Sequence, residues 1–394
     1  FYYICVILNS SIMDNSLKNI ISSGLASLSE MFSSDKSTQS ILGIDIGSSA
    51  IKIVQLKKKN GKAILETYGA ISLGPYGNTE IGTVTNLQAD DIVRALLDVI
   101  KESNVTIKSG VIAIPSSASL IFTISLPANI TEEKLASVVP IEARKYIPVP
   151  IAEVTLDWFI LPKETESSEN NIMEQSKVQT PATSNTEVLV VAIHNDILTR
   201  YQEILKKTEL HSDSFEMEIF SNIRSSFAHD LTPVLLMDFG ASKTKLSIIE
   251  EGVVHVFHVV NRGGAEITKN IASSLSISFT EAEKLKRTTG LDLNSNPEVA
   301  DIVRLSMDYI LSDTNSIVFA YQKKYNKNIS KVILTGGGSL TKGLMERATS
   351  NFHTEVVYSN PFSKTEAPAF LTPILELSGP EFSVAVGLAL RQLL

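Results

Sequence analysis

The chain alternates between short apolar runs and longer stretches in which apolar residues recur every three or four positions. The short runs, such as ILGIDIG at 41–47 and VLLMDFG at 234–240, predict buried strands that end at a small-residue turn. The longer spacing predicts amphipathic helices over 88–103, 131–146, 195–208, 264–287, 300–326, 341–350 and 380–393. Strands and helices are interspersed along the chain, which predicts the α/β or α+β class.

The first 40 residues predict an N-terminal tail. Seven apolar side chains fall on one stripe of a helix over 13–32: Met13, Leu17, Ile20, Ile21, Leu25, Leu28 and Phe32. Such a helix packs on its own protein or on a partner, or lies in a membrane interface through apolar area alone, because Lys18 is its only basic residue. Residues 33–40 predict a flexible linker. The apolar run over 1–8 is shorter than the roughly 20 residues of a membrane span, and we expect the native start at Met13.

Composition limits the class of protein. The chain has 394 residues, 43% of them hydrophobic, which predicts about two or three domains with large cores. The net charge of −8 argues against a nucleic-acid binder, which needs a basic face. Cys5 is the only cysteine, so no internal disulfide can form. No segment after residue 8 predicts a membrane span, so we expect a cytoplasmic protein.

Residues 162–187 are polar and of low complexity, and they predict a flexible loop between two strands.

One β-hairpin motif occurs twice in the sequence. Four residue types recur at one constant offset (238 − 45 = 193): Asp45, Gly47, Ser49 and Lys52 match Asp238, Gly240, Ser242 and Lys245. In both copies an apolar strand leads into the aspartate, and a second strand follows the small-residue turn. The repetition predicts an internal duplication of the fold.

A hairpin of this type is suited to binding an anion. Its tight turn exposes backbone N–H groups, and a glycine lets an anion approach closely. Four hydroxyl groups would add donors, those of Ser48, Ser49, Ser242 and Thr244. A strand-end aspartate fits beside a hydrated Mg²⁺, held directly or through water, so two facing hairpins would clamp a polyphosphate. The simpler alternative is that Asp45 and Asp238 only cap their turns.

Glycine-rich turns recur in the second half of the chain. In VILTGGGSLTKG, residues 332–343, a strand enters a turn of three glycines, on which a flat ring or a sugar can pack. A pair of glycines, Gly263 and Gly264, precedes another predicted helix. Further along, Glu283 is a candidate for binding a ribose hydroxyl. The simpler interpretation is that Glu283 lies on the solvated face of a helix.

The ordered set of motifs resembles the actin-like ATPase superfamily. The set comprises GIDIGSSAIKIVQL at 43–56, LLMDFGASKTKLSII at 235–249, NRGGAEITKNI at 261–271, AEKLK at 282–286 and VILTGGGSLTKGL at 332–344. EARKYIPVPIAEVTLDW at 142–158 and the ending GPEFSVAVGLALRQLL at 379–394 narrow the resemblance to the PilM family of type IV pilus assembly proteins. The resemblance implies an α/β fold of two lobes with duplicated cores, and an α+β subdomain inserted in the first lobe.

The resemblance also implies a division of the chain. It gives a first-lobe core at 41–110, the inserted subdomain at 111–212, a linking helix at 213–232, the second lobe at 233–379, and a C-terminal helix at 380–394 that returns to the first lobe.

The same resemblance implies an ATP and Mg²⁺ site. Phosphate contacts fall on Asp45, Gly47, Ser48, Ser49, Lys52, Asp238, Gly240, Ser242 and Thr244. Nucleoside contacts fall on Gly263, Gly264, Glu283, Lys286, Gly336, Gly337 and Leu340. Asp45 and Asp238 would hold the Mg²⁺, directly or through water, and Glu218 is the candidate catalytic residue. We expect slow ATP hydrolysis or none, because Glu218 is the only candidate that the sequence offers.

The function implied is that of an ATP-binding scaffold in the inner-membrane platform of type IV pili. The partners implied are the cytoplasmic N-terminus of a PilN-like membrane protein and other platform proteins, at the inner face of the cytoplasmic membrane. Tyr146, Ile147 and Val149 are candidates for a peptide groove, and the alternative for Tyr146 and Ile147 is the core. Two other functions stay open, an FtsA-like tether in cell division and a metabolic kinase of the same superfamily.

Overall fold

The structure, a computed structural model, describes residues 8–9, 39–127, 130–161, 185–212, 214–228 and 230–393. The predicted tail helix over 13–32 lies outside these residues, as does most of the loop predicted over 162–187. The chain falls into two compact units, of which the smaller is Ser116–Arg200 and the larger is the remainder.

The first sheet of the larger unit has six strands in the order β1-β9-β5-β2-β3-β4. These are β1 (Leu8–Asn9), β2 (Ser40–Ile46), β3 (Ala50–Lys59), β4 (Lys62–Ser72), β5 (Gly110–Ile114) and β9 (Ser214–Met217). Strands β2, β3 and β4 form an antiparallel meander, β5 runs parallel to β2, and β9 runs parallel to β5. Because β5 pairs with β2, residues 110–114 lie in this sheet, and the smaller unit begins later than the predicted residue 111.

The second sheet of the larger unit repeats this plan. Its order is β12-β11-β10-β13-β14, with β10 (Val234–Phe239), β11 (Thr244–Glu250), β12 (Val253–Val260), β13 (Lys331–Thr335) and β14 (Glu355–Tyr358). An antiparallel meander is again followed by two parallel strands. The register shifts between Gln55 and Leu56 in the first meander and between Ile248 and Ile249 in the second (248 − 55 = 193). The shared plan and the shared bulge position confirm the predicted duplication.

Helices accompany the sheets of both units. They are α1 (Ala89–Glu102), α2 (Glu132–Ala143), α3 (Asn195–Thr208), α4 (Glu218–Ser226), α5 (Gly264–Leu275), α6 (Phe279–Thr289), α7 (Pro297–Tyr325), α8 (Leu344–Phe352) and α9 (Thr372–Arg391). The single helix predicted over 264–287 is two helices, because Ser276 takes a left-handed conformation (φ 54°) that ends α5. The final helix begins at Thr372, earlier than the predicted residue 380, and contains Pro380.

Helix α9 is the central element of the first lobe. It packs against β2, β3, β5 and α4, all of which belong to the first sheet or directly follow it in the chain. Two glycines allow this packing, because a Cβ on Gly43 would lie 2.0 Å from the carbonyl oxygen of Ala385, and one on Gly387 1.8 Å from that of Ser221. By length and composition Ala369–Arg391 could cross a membrane, contrary to the sequence-based expectation, but 67% of its most apolar stretch is buried in the protein.

The smaller unit contains a three-stranded antiparallel sheet in the order β6-β8-β7. Its strands are β6 (Ser119–Leu126), β7 (Val154–Ile160) and β8 (Thr186–His194), and α2 covers one face. Leu135 and Val139 of α2 pack with Val188 and Val190 of β8 in its core. Within this sheet β8 is central, so β6 and β7 are edge strands.

Candidate functional site

The two predicted hairpins form with equivalent registers. In the β2–β3 hairpin Asp45 lies opposite Lys52, and in the β10–β11 hairpin Asp238 lies opposite Lys245. Each aspartate stands near the end of its first strand, directly before the turn. The duplicated sequence therefore places a carboxylate and a lysine at the same point of both lobes.

One hydrogen bond closes each turn in the same way. The Gly47 N–H donates to the carbonyl oxygen of Ala50, and the Gly240 N–H donates to that of Lys243, both at 3.0 Å. A Cβ on Gly240 would lie 2.8 Å from that oxygen of Lys243, closer than real Cβ atoms approach. Glycine is thus needed to close the second turn, whatever the turn binds.

A cluster of five charged side chains joins the two lobes. The Lys245 Nζ donates to Glu218 Oε2 at 2.8 Å and to Asp238 Oδ2 at 3.1 Å. Burial raises the pKa of Asp45 to about 6, Lys52 opposes this rise, and Glu218 adds to it. Lys245 and Asp238 also act electrostatically on Asp45. The direct contact is that of Lys245, from the second hairpin, with Glu218, the first residue of α4, which follows β9 of the first sheet. We call Asp45, Lys52, Glu218, Asp238 and Lys245 the charged cluster.

The charged cluster does not fit a Mg²⁺ ion held directly by the predicted ligands. The ammonium group of Lys245 already contacts the carboxylate of Asp238. Burial alone would lower the pKa of Lys245, but Asp238 and Glu218 outweigh it and raise this pKa, so the group stays charged. Among the described residues, no group of three or more histidine, cysteine, aspartate or glutamate side chains is arranged to hold a metal ion.

The hydroxyl groups predicted to bind phosphate differ in what they contact. Thr244 is fully buried, and its hydroxyl donates to the carbonyl oxygen of Arg262 at 2.9 Å. Thr244 therefore holds the segment after β12 and does not face a ligand, contrary to the prediction. The serines are only partly buried at their turns: Ser48, Ser49 and Ser242.

The predicted glycine pair holds α5 against the second turn. The Gly264 N–H donates to the carbonyl oxygen of Gly240 at 3.0 Å, and the Ala265 N–H donates to that of Ala241 at 2.9 Å. A Cβ on Gly263 would lie 2.5 Å from the Ala241 oxygen. The structure thus gives Gly263 a packing role beside the phosphate turn rather than an open face for a nucleoside.

Glu283 and Lys286 form one hydrogen-bonded group with their neighbours. The Lys286 Nζ donates to Glu283 Oε2 at 2.6 Å, to Thr268 Oγ1 at 2.8 Å and to the carbonyl oxygen of Gly264 at 3.0 Å. Burial alone would raise the pKa of Glu283, but Lys286, with hydrogen bonds from Thr268 and Arg287, holds it below its usual range. Glu283 is therefore buried and paired, which rules out the alternative of a solvated helix face.

The triple-glycine turn reaches the charged cluster. Gly336 has a left-handed φ of +79°, and a Cβ there would lie 2.3 Å from Asp238 Oδ1. Gly336 therefore allows the turn to pass close to Asp238. Gly337 is exposed, and a Cβ there would make only an ordinary 3.6 Å contact with the Glu381 carboxylate. Gly337 and the partly buried Leu340 are the two ends of a short 3-10 helix.

The three residues predicted to form a peptide groove are not all exposed. Tyr146 is 52% exposed and stacks on Phe122, with ring centroids 5.1 Å apart. Ile147 is 8% exposed and belongs to the core of the smaller unit, and Val149 packs against that core. The core alternative therefore holds for Ile147, and Tyr146 is the predicted residue that offers apolar surface.

Sequence reasoning missed two features of this region. Lys245 was visible as the repeat of Lys52, and that shared offset could have identified it as a site residue. The second feature is a buried pair on β9 and α4, in which the Arg224 guanidinium bonds both carboxylate oxygens of Glu216, at 2.5 and 2.7 Å. No pattern in the sequence pointed to this pair.

Comparisons with known proteins fit this architecture. A family model described as type IV pilus assembly protein PilM matches residues 43–393. The cell division protein FtsA of Rhizobium meliloti (strain 1021) is 25% identical over 244 residues, which are 54% of this chain and 53% of that protein. FtsA of Buchnera aphidicola subsp. Schizaphis graminum (strain Sg) is 25% identical over 258 residues, 56% of this chain and 60% of that protein. The chain thus spans between 53% and 60% of the length of these curated relatives.

A solved structure has the same fold over almost its whole length. This structure, a PilM-PilN type IV pilus biogenesis complex, aligns with a TM-score of 0.74 and 24% sequence identity, covering 90% of this chain and 98% of that chain. At this identity the likeness concerns the fold, which is the two-lobed actin-like ATPase fold with duplicated cores. Since the family model covers most of the sequence, the chain belongs to the PilM family of type IV pilus assembly proteins.

Proposed function

We propose that this chain is a nucleotide-binding scaffold of the type IV pilus platform, with ATP bound between its two lobes. One observation carries the proposal: each lobe has an equivalent hairpin turn, and Lys245 of the second hairpin contacts Glu218 of α4, which follows β9 of the first sheet. Turns of this kind present backbone N–H groups to an anion, and two of them can hold a polyphosphate. Mg²⁺, the second predicted cofactor, is not part of the proposal, because Lys245 already neutralises one of its two predicted ligands.

The charged cluster favours binding over hydrolysis. Hydrolysis needs a carboxylate that is free to orient and deprotonate a water. The Glu218 carboxylate instead accepts a hydrogen bond from the Lys245 ammonium at 2.8 Å, so one of its oxygens is already engaged. We therefore propose a protein that holds ATP and turns it over slowly or not at all.

Replacing Gly337 by valine should weaken ATP binding while the protein stays folded. The new side chain meets no backbone atom in close contact, so it would project from the exposed turn proposed to receive the nucleoside. We expect the dissociation constant, measured by calorimetry, to rise at least about 10-fold. Gly61→Ala is the control. Gly61 has a left-handed φ of +76°, so alanine should be mildly destabilising there, and no heavy atom lies within 4 Å of the position that a Cβ would take. Equal ATP affinity in Gly337→Val and the parent would refute the nucleoside site.

We propose that the smaller unit, Ser116–Arg200, binds the cytoplasmic N-terminal peptide of a PilN-like membrane protein. The solved structure with the same fold is that of a PilM-PilN complex. In the smaller unit, β6 and β7 are edge strands that an extended peptide can join through backbone hydrogen bonds. Ile141 and Tyr146 add exposed apolar surface, which suits side chains of such a peptide. Through this partner the chain would work at the inner face of the cytoplasmic membrane.

Ile141→Ala and Tyr146→Ala should each lower the affinity for this peptide by about 5- to 20-fold, because each removes apolar contact area. Fluorescence anisotropy of a labelled peptide measures the change. Leu305→Ala is the matched control, since Leu305 of α7 is 68% exposed and Ile141 is 67% exposed, but Leu305 belongs to the larger unit. If Leu305→Ala weakens binding and the other two variants do not, the partner site lies on the larger unit.

A further inference from the structure

The carboxylates of the charged cluster already have a cation between them. Lys245 extends from β11 and its Nζ lies 2.8 Å from Glu218 Oε2 and 3.1 Å from Asp238 Oδ2. These side chains are largely buried, with exposed fractions of 20% for Lys245, 8% for Glu218 and 13% for Asp238. Buried carboxylates need a positive partner, since an unpaired buried charge is very costly.

An ammonium group and a directly bound metal ion cannot occupy this place together. Mg²⁺ would sit about 2.0–2.1 Å from each ligand oxygen, inside the volume that the Lys245 Nζ fills between Glu218 and Asp238. The cluster contains three carboxylates and two lysines, so its charge is close to balanced without a metal. Removing the charge of Lys245 would take away the cation that Glu218 and Asp238 share.

We infer that the Lys245 ammonium takes the place of a metal ion in this site: it holds Glu218 and Asp238 together and leaves no place for a divalent cation bound directly to these two carboxylates. It follows, if the proposed function holds, that ATP binds without Mg²⁺, because the lysine provides positive charge that a metal would otherwise supply beside the phosphates. The first statement concerns the protein alone and does not depend on nucleotide binding.

Binding of Mn²⁺ tests the first statement. Mn²⁺ replaces Mg²⁺ at oxygen sites and is counted directly by electron paramagnetic resonance. We expect no bound Mn²⁺ in the parent or in Lys245→Arg, which keeps the charge, and one site in Lys245→Met with a dissociation constant on the order of 0.1–1 mM. Adding Asp238→Asn to Lys245→Met should abolish that site. A tight Mn²⁺ site in the parent would overturn the inference, and this measurement stands even if Lys245→Met fails to fold.

ATP affinity with and without Mg²⁺ tests the second statement. In the parent, the dissociation constant in EDTA should stay within about 5-fold of the value in Mg²⁺. In Lys245→Met, ATP binding in EDTA should weaken by at least about 10-fold, and Mg²⁺ should restore it. Parent binding that requires Mg²⁺ overturns the inference and leaves the proposed function intact. Failure of the parent to bind ATP in either buffer refutes the proposed function, and the Mn²⁺ measurement still decides the role of Lys245.

Discussion

Replacing Arg224 by methionine is expected to lower the free energy of unfolding by about 3–5 kcal/mol. Arg224 is 4% exposed and Glu216 is completely buried. The guanidinium bonds both oxygens of Glu216 and also donates to the carbonyl oxygen of Gly387 at 2.9 Å, so it joins β9, α4 and α9. Methionine would keep most of the volume and leave the Glu216 carboxylate buried without its cation. Urea unfolding followed by circular dichroism measures the loss.

Two variants separate this cause from the loss of packing. Arg304→Met removes a guanidinium that bonds Asp301 on the exposed surface of α7, and it should cost less than about 1 kcal/mol. The double variant Glu216→Leu/Arg224→Met removes both charges, and it should recover much of the stability that Arg224→Met loses. If the double variant is as unstable as Arg224→Met, lost packing is responsible, and not the loss of the guanidinium charge beside Glu216.

Replacing Gly387 by alanine is expected to destabilise the protein by about 3 kcal/mol, although alanine is the better helix former. In an ordinary helix interior this change raises stability by up to about 1 kcal/mol. Here the new Cβ would lie 1.8 Å from the backbone carbonyl oxygen of Ser221, so α9 and α4 would have to move apart. That movement would also disturb the hydrogen bond that Gly387 accepts from Arg224. Thermal and urea unfolding measure the change.

Gly337→Ala is the control for this experiment. Its Cβ would meet the Glu381 carboxylate at 3.6 Å, which is an ordinary van der Waals contact, and we expect stability to change by less than about 1 kcal/mol. A gain of stability in Gly387→Ala would contradict the close packing of α9 on α4.

The sequence alone determined the duplicated hairpins and their turns. Alternating apolar runs, an aspartate at the strand end and a glycine in the turn are all local features, and a constant offset needs no knowledge of the fold. For this reason the register of Asp45 with Lys52 and of Asp238 with Lys245 follows directly from the motif. That a C-terminal helix at 380–394 returns to the first lobe was a prediction from the family resemblance alone.

Only the tertiary structure decided what each side chain of the site contacts. The Thr244 hydroxyl donates to the carbonyl oxygen of Arg262, and Ile147 packs in the core of the smaller unit. The Lys245 ammonium lies between Glu218 and Asp238. These outcomes depend on atoms that come together from distant parts of the chain. The residue types allowed either result: a threonine or an isoleucine suits a core or a ligand site, and a strand-end aspartate accepts a metal or an ammonium group. The fold selects between them because it alone sets which opposite charge lies within hydrogen-bonding distance of each buried carboxylate.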